Sequence, residues 1–161
     1  MGPFRTEIQV RFNDTDALGH LNNTSYALYA EQGRVAFMDT FRAEGVFSEG
    51  VFVILARLEL DFIRQVRYRD RVHVLTRVAK LGNTSLTLEQ EVYGNDELAA
   101  RVKSVVVVFD YNAQKPTPIP DRARELLEPY LSLGRLVRVA LVVLLRLVLL
   151  RFSFAIPLYV L

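Results

Sequence analysis

The chain has 161 residues, no cysteine, two histidines and a formal net charge of +2. That is the length of one domain with a sizeable core, and it excludes disulfides, thiol nucleophiles and cysteine-ligated zinc. The charge is uneven: residues 131–161 carry four arginines and no acid, which leaves residues 1–130 at −2, without the basic footprint of a nucleic-acid-binding domain.

The opening Met-Gly-Pro-Phe-Arg-Thr-Glu has no apolar h-region, so a secretory signal is not expected and the location reads as cytoplasmic. Residues 7–12 alternate polar and apolar, the period of a half-buried strand. From Asn23 the spacing changes. Tyr26, Ala30, Gly33, Phe37 and Phe41 recur at three and four residues and predict one face of a helix to about Arg42, ended by Glu44-Gly45. Gly33 costs about 1 kcal/mol of helix propensity against alanine, which points to close packing on a sheet. Four strand patterns follow, around residues 56–62, 72–78, 86–92 and 100–109, with turns at Gly82-Asn83 and Gly94-Asn95-Asp96. The run from Val105 to Phe109 is apolar throughout, as in a strand covered on both faces. Lys115 to Pro120 reads as a loop, and Asp121 to Tyr130 as a short helix with an acidic start. One long helix with an antiparallel meander of about five strands is an α+β layout.

The chemistry concentrates in residues 11–34. Asp14 and Asp16 come a few residues before the predicted helix N-terminus, where unpaired backbone N–H groups attract negative charge. A carboxylate beside an oxyanion-binding donor is the equipment of an acyl-transfer hydrolase. The plain alternative is that both aspartates cap a turn or the helix. Gly19 permits a tight turn, and Asn22 and Asn23 suit the helix entry. His20 lies four residues after Asp16, but no Gly-x-Ser-x-Gly elbow accompanies it, so it reads as a substrate-pocket or structural residue. Glu31 and Arg34 read as an i,i+3 ion pair, and His73 as a surface or interface residue of a strand.

The pattern Arg11-Phe12-x-Asp14-x-Asp16-x-x-Gly19-His20-x-Asn22-Asn23-x-x-Tyr26 resembles the signature of the hotdog-fold acyl-CoA thioesterases of the 4-hydroxybenzoyl-CoA thioesterase-like type. The likeness continues through Asp61-Phe62-Ile63-Arg64, Asp70 and Lys80-Leu81-Gly82-Asn83-Thr84-Ser85, and departs at Gln65, where the family usually has proline. The resemblance implies a sheet wrapped around a central helix over residues 1–130. It implies hydrolysis of acyl-CoA to free CoA and a carboxylic acid without metal or organic cofactor. Asp16 would then be the catalytic nucleophile or general base, and the backbone N–H of Asn23 would polarise the thioester carbonyl. Gly19, His20 and Tyr26 are the expected substrate-binding residues, with Lys80, Asn83 and Ser85 at the nucleotide end. A non-catalytic acyl-CoA or acyl-carrier binding module on the same fold is the alternative. A hotdog dehydratase would need an Asp and His arrangement that the chain lacks.

Open sheet edges invite pairing with another chain, and family members complete the site from a second subunit, so a homodimer or homotetramer is expected. The tail, residues 131–161, has 17 leucines or valines among its 31 residues, interrupted by arginines. It reads first as an accessory or altered segment, then as an interfacial amphipathic helix, and last as a membrane span.

Overall fold

The computed structural model describes residues 2–132. The chain divides into two units, Met1–Leu131 and Ser132–Leu161. The readings placed on the apolar tail lie outside the described residues.

In chain order the first unit runs β1 (Phe4–Ile8), a 3-10 turn (Phe12–Asp14), α1 (Asn23–Ala43), β2 (Val51–Phe62), β3 (Val72–Leu81), β4 (Ser85–Gly94), β5 (Glu97–Asp110), β6 (Lys115–Pro116) and α2 (Asp121–Leu127), with a closing 3-10 turn (Glu128–Tyr130). The sheet order is β1-β3-β4-β5-β2, all pairs antiparallel, with β6 beside β5. The meander from β3 to β5 follows from the Gly82-Asn83 and Asn95-Asp96 turns, the latter two residues lying at positive φ. The sheet wraps around α1, which is the hotdog arrangement.

Several boundaries differ from the pattern reading. The first strand ends at Ile8, and Phe12–Asp14 form a 3-10 turn, because the Asp14 carboxylate draws the chain back onto the Arg11 N–H at 2.7 Å. The second strand begins at Val51 and is interrupted by a bulge between Leu55 and Arg57, so one period does not run its whole length. Lys115–Pro116 pair with Phe109 and Asp110, within the stretch expected to be a loop. Proline is tolerated there because the strand lies at the margin of the sheet. Within Val105 to Phe109 only Val106 and Val108 are buried, while Val105, Val107 and Phe109 are half-buried.

The helix is held by its small residues. A Cβ on Gly33 would stand 2.7 Å from Val74 Cγ1, which is the close approach that its place on the buried face implied. Gln90, buried on β4, donates to the Ala30 carbonyl at 2.8 Å and to Thr76 Oγ1, and accepts from Ser104. Two core clusters flank this polar centre. One gathers Tyr26, Tyr29, Val72 and Val92 near the helix start; the other gathers Phe37, Phe41, Val78, Leu86 and Leu127 near its end.

Candidate functional site

The motif residues form one tied loop between β1 and α1. Asp14 is its anchor. Its carboxylate accepts from the Arg11 N–H and from the Tyr29 hydroxyl at 2.8 Å, and its carbonyl accepts from the Asn22 N–H and the Ser25 hydroxyl. Burial, then the hydrogen bond and charge of Asp14, push the Tyr29 phenol well above its ordinary pKa. Thr15 bridges to Leu21, and His20 to Arg67, so the loop is a small hairpin braced by the segment after β2.

Asp16 sits at the tip of that hairpin. Its Oδ1 accepts from the Leu18 N–H at 2.8 Å and the His20 N–H at 3.1 Å. Its backbone pairs with His20 and Gly19, the latter at φ +77°. This is an Asx-type turn, so the capping role is real. It uses one carboxylate oxygen. Among the described residues Oδ2 has no hydrogen-bond partner, and the side chain is exposed. The anchoring aspartate and the available one are thus two residues apart.

The helix cap is Asn22, not Asn23: its Oδ1 accepts from the Thr24 N–H at 3.0 Å. Asn23 is the first helical residue. The Ser25 N–H bonds the Asn22 carbonyl, while the Asn23 N–H has no partner among the described residues. It is therefore the donor left over at the positive end of a 21-residue helix.

The other expected substrate contacts separate. Tyr26 is only 3% exposed, donates its hydroxyl to the Arg64 carbonyl and packs edge-on against Phe62. Within the protomer it positions the loop and faces no opening. Gly19 shapes the turn, and His20 engages through its backbone. Lys80, Asn83 and Ser85 lie at the far end of β3 and the start of β4, beside the end of α1. The Asn83 carbonyl there receives the Ile119 N–H and the Arg124 guanidinium. Val72, at the Asp16 end of β3, is eight residues from Lys80, roughly 26 Å along a strand. One protomer does not bring the two groups together. His73, read from the sequence as a surface or interface residue, is 5% exposed within the protomer and stacked on Tyr93.

Two features were not legible as site elements in the sequence. Phe12 is 75% and Leu18 79% exposed, and Phe12 meets Tyr68 edge-on at 5.9 Å, so an apolar rim flanks the Asp16 turn. Their signal was a large apolar residue on either side of a polar motif. An open cleft of about 600 Å³ also runs along the β1 flank of α1, lined by Thr6, Arg11, Asp14, Tyr29, Gln32 and Ala36 among others. Asp16 is not part of it. Among the described residues no cluster of three His, Asp or Glu side chains is placed to hold a metal.

Residues 10–127 match the thioesterase-like superfamily. The chain belongs to that family. Among curated proteins, it is 30% identical over 122 residues to the acyl-acyl carrier protein thioesterase ATL2 of Arabidopsis thaliana, covering 73% of this chain and 64% of that protein. It is 30% identical over 87 residues to YsmA of Bacillus subtilis, covering 53% of this chain and 57% of that protein. The chain thus spans less than two thirds of the length of these two relatives. It is 24% identical to the acyl-CoA thioester hydrolase YbgC of Escherichia coli, over 73% of this chain and 90% of that one. Among solved structures, a predicted thioesterase from Bacillus stearothermophilus superposes with a TM-score of 0.73 at 34% identity, covering 80% of this chain and 96% of that one. A thioesterase from Thermus thermophilus, complexed with coenzyme A and zinc, gives 0.68 at 32% identity, covering 80% and 94%. The hotdog arrangement is shared with these thioesterase structures. No helix among the described residues is long and apolar enough to cross a membrane.

Proposed function

We propose that this chain hydrolyses acyl-CoA thioesters to coenzyme A and a carboxylic acid, with Asp16 as nucleophile or general base. The observation that carries the reading is that one tied loop carries both a carboxylate oxygen left unengaged, Asp16 Oδ2, and a helix-end N–H left without a partner among the described residues, that of Asn23. A thioester oxygen gains charge as the carbonyl is attacked, and a fixed helix-end N–H meets that charge with little reorganisation. With Asp16 as general base, its carboxylate takes a proton from water as the water oxygen adds to the acyl carbon. The C–S bond breaks, and that proton passes to the departing thiolate to give coenzyme A and the acid. With Asp16 as nucleophile, its oxygen displaces the thiolate to form an acyl-aspartyl anhydride. Water then cleaves the anhydride, releasing the acid, regenerating the carboxylate and supplying the proton for the thiolate.

Asp16 is exposed in the single protomer, whereas such chemistry gains from exclusion of water. The reading therefore includes a homodimer or dimer of dimers in which a second copy covers the Asp16 turn and the Phe12 and Leu18 rim. It also offers a way to place Lys80, Asn83 and Ser85 at the nucleotide end, from the second copy. A cytoplasmic location belongs to the same proposal and is tested by fractionation. The relatives' names include both acyl-CoA and acyl-carrier thioesterases, so the panel should hold both carriers.

The test is hydrolysis of acyl-CoAs of varied chain length and aromatic character, and of acyl-carrier protein, by wild type and Asp16→Asn. Loss of about 10²-fold or more in turnover is expected. A second reading, binding without hydrolysis, draws on the use of Asp16 Oδ1 as a turn cap. Acyl-CoA that binds yet survives prolonged incubation with wild type would favour it.

A further inference from the structure

Glu31 and Arg34, expected to pair across one helical turn, form no ion pair among the described residues. Asp70 and Asn95, 25 residues apart, do meet: the Asn95 Nδ2 donates to Asp70 Oδ1 at 2.7 Å. The other oxygen of Asp70, Oδ2, accepts from the Arg67 N–H at 2.8 Å, and the Asp70 N–H donates to the Arg67 carbonyl. Asn95 accepts from the Arg71 N–H through Oδ1 at 3.0 Å and donates its own N–H to the Arg71 carbonyl at 2.9 Å. Both oxygens of Asp70 and both polar atoms of the Asn95 amide are engaged.

The backbone on either side supports the contact. Asn95 stands at φ 51°, in the left-handed region that asparagine and aspartate tolerate better than other non-glycine residues. Beside it, Gly94 lets the end of β4 close on Val66. A Cβ on Gly94 would stand 2.9 Å from Val66 Cγ2, and Val66 is fully buried. The Ile63 and Arg64 N–H groups both donate to the Ala99 carbonyl in β5. Residues 63–70 are thus lashed to the β4–β5 hairpin.

The segment so held is the one that braces the Asp16 turn. The Val66 carbonyl accepts the Leu21 N–H at 2.7 Å, the Arg64 carbonyl accepts the Tyr26 hydroxyl, and Arg67 bridges to His20. His20 closes the path: its carbonyl accepts the Asp16 N–H at 2.8 Å, and its N–H donates to Asp16 Oδ1. From Asn95 the path runs through Asp70, Arg67 and His20 to Asp16. Arg67 and His20 take part through their backbones, so Asp70 and Asn95 are the side chains at which substitution interrupts it.

We propose that Asp70 and Asn95 are a positioning pair for Asp16. They fix Arg67, and through His20 they set the direction in which the turn presents its free carboxylate oxygen. The inference rests on the reading of Asp16 as the catalytic carboxylate. A small displacement of a reacting group costs far more in rate than the contact that held it costs in stability. Asn95 is exposed and Asp70 half-buried, so breaking their contact leaves the fold in place, with Val66 and the Ala99 bonds still holding the segment.

Exchanging the two side chains tests this. Asp70→Asn alone sets an amide N–H against that of Asn95, and Asn95→Asp alone sets two carboxylates face to face. The double variant restores every bond with the donor reversed. Position 70 then accepts from the Arg67 N–H and donates to position 95, which accepts from the Arg71 N–H.

In full-length protein each single variant should keep the wild-type circular dichroism and the KM for acyl-CoA, while kcat falls about tenfold. The double variant should recover the wild-type kcat. Amide hydrogen exchange gives a readout independent of turnover. The Leu18 and His20 N–H groups, which donate to Asp16 Oδ1, should exchange about tenfold faster in the single variants and return to the wild-type rate in the double. Single variants that keep either the wild-type kcat or the wild-type exchange overturn the proposal. So does a double variant that regains stability but not kcat, or a loss carried by KM alone, which would assign Asp70 to substrate binding. If wild type and Asp16→Asn turn over equally, the catalytic reading fails, and the exchange of Leu18 and His20 decides the positioning on its own.

Discussion

Tyr29 donates its hydroxyl to the Asp14 carboxylate at 2.8 Å, joining the second turn of α1 to the loop that presents Asp16. The catalytic candidate is thus positioned by its neighbour's contacts as much as by its own. Asp14 accepts four hydrogen bonds through its carboxylate and carbonyl, and Asp16 is exposed with one oxygen unengaged.

The two roles of Asp16 separate by substitution. Asp16→Asn retains Oδ1 as acceptor for the Leu18 and His20 N–H groups, so its stability should stay within about 0.5 kcal/mol of wild type while turnover falls. Asp16→Ala loses the acceptor as well and should cost roughly 1 kcal/mol more. Urea unfolding beside acyl-CoA turnover measures both. Equal turnover by Asp16→Asn and wild type contradicts catalysis by this carboxylate.

Tyr29→Phe removes one donor to a carboxylate and should destabilise by about 1–2 kcal/mol. It also carries a pH signature. The folded phenol is pushed above its ordinary value of 10.0, chiefly by burial, so the native state keeps a proton that the unfolded chain releases. The associated stability is complete below pH 10 and is lost as pH rises beyond it. Urea midpoints at pH 9 and pH 11 should fall further for wild type than for Tyr29→Phe. Parallel declines would contradict the assignment.

Gln90→Leu keeps volume but strips the Thr76 and Ser104 hydroxyls of their shared partner in a site with no water access. A loss of about 2–3 kcal/mol is expected by denaturant unfolding. A neutral result would mean that the two hydroxyls find each other or a backbone carbonyl.

Gly33→Ala sets two effects against each other. Helix propensity improves by about 1 kcal/mol, but the new Cβ would meet Val74 Cγ1 at 2.7 Å and Gln90 Nε2 at 3.1 Å. Overpacking of that kind costs about 1–3 kcal/mol, so the net should be a loss of up to about 2 kcal/mol in thermal or urea unfolding. A stabilised variant would mean that α1 lifts from the sheet without penalty.

Much of the layout is legible in the sequence because it depends on local periods. The stripe Tyr26, Ala30, Gly33, Phe37 and Phe41 marks the buried face of α1, and Glu44-Gly45 ends it at the residue where the chain turns. Glycine and asparagine turns separate β3, β4 and β5. Boundaries that depend on a side chain reaching back to the backbone are less legible, as where Asp14 closes a 3-10 turn in place of a longer first strand.

The sequence by itself determined the order of elements, the face of the helix that packs, and the loop in which Asp14, Asp16, Gly19 and Asn22 sit together, since each follows from spacing or from a neighbour's hydrogen bond. Tertiary structure alone decided that β2 is an edge, that Tyr26 is core, that Arg34 is buried away from Glu31, and that Lys80, Asn83 and Ser85 lie at the opposite end of the helix from Asp16. Burial and proximity depend on which distant segment comes to lie alongside. A helix period names the inner face of α1, but it does not say which strand of the sheet is left open on its outer edge.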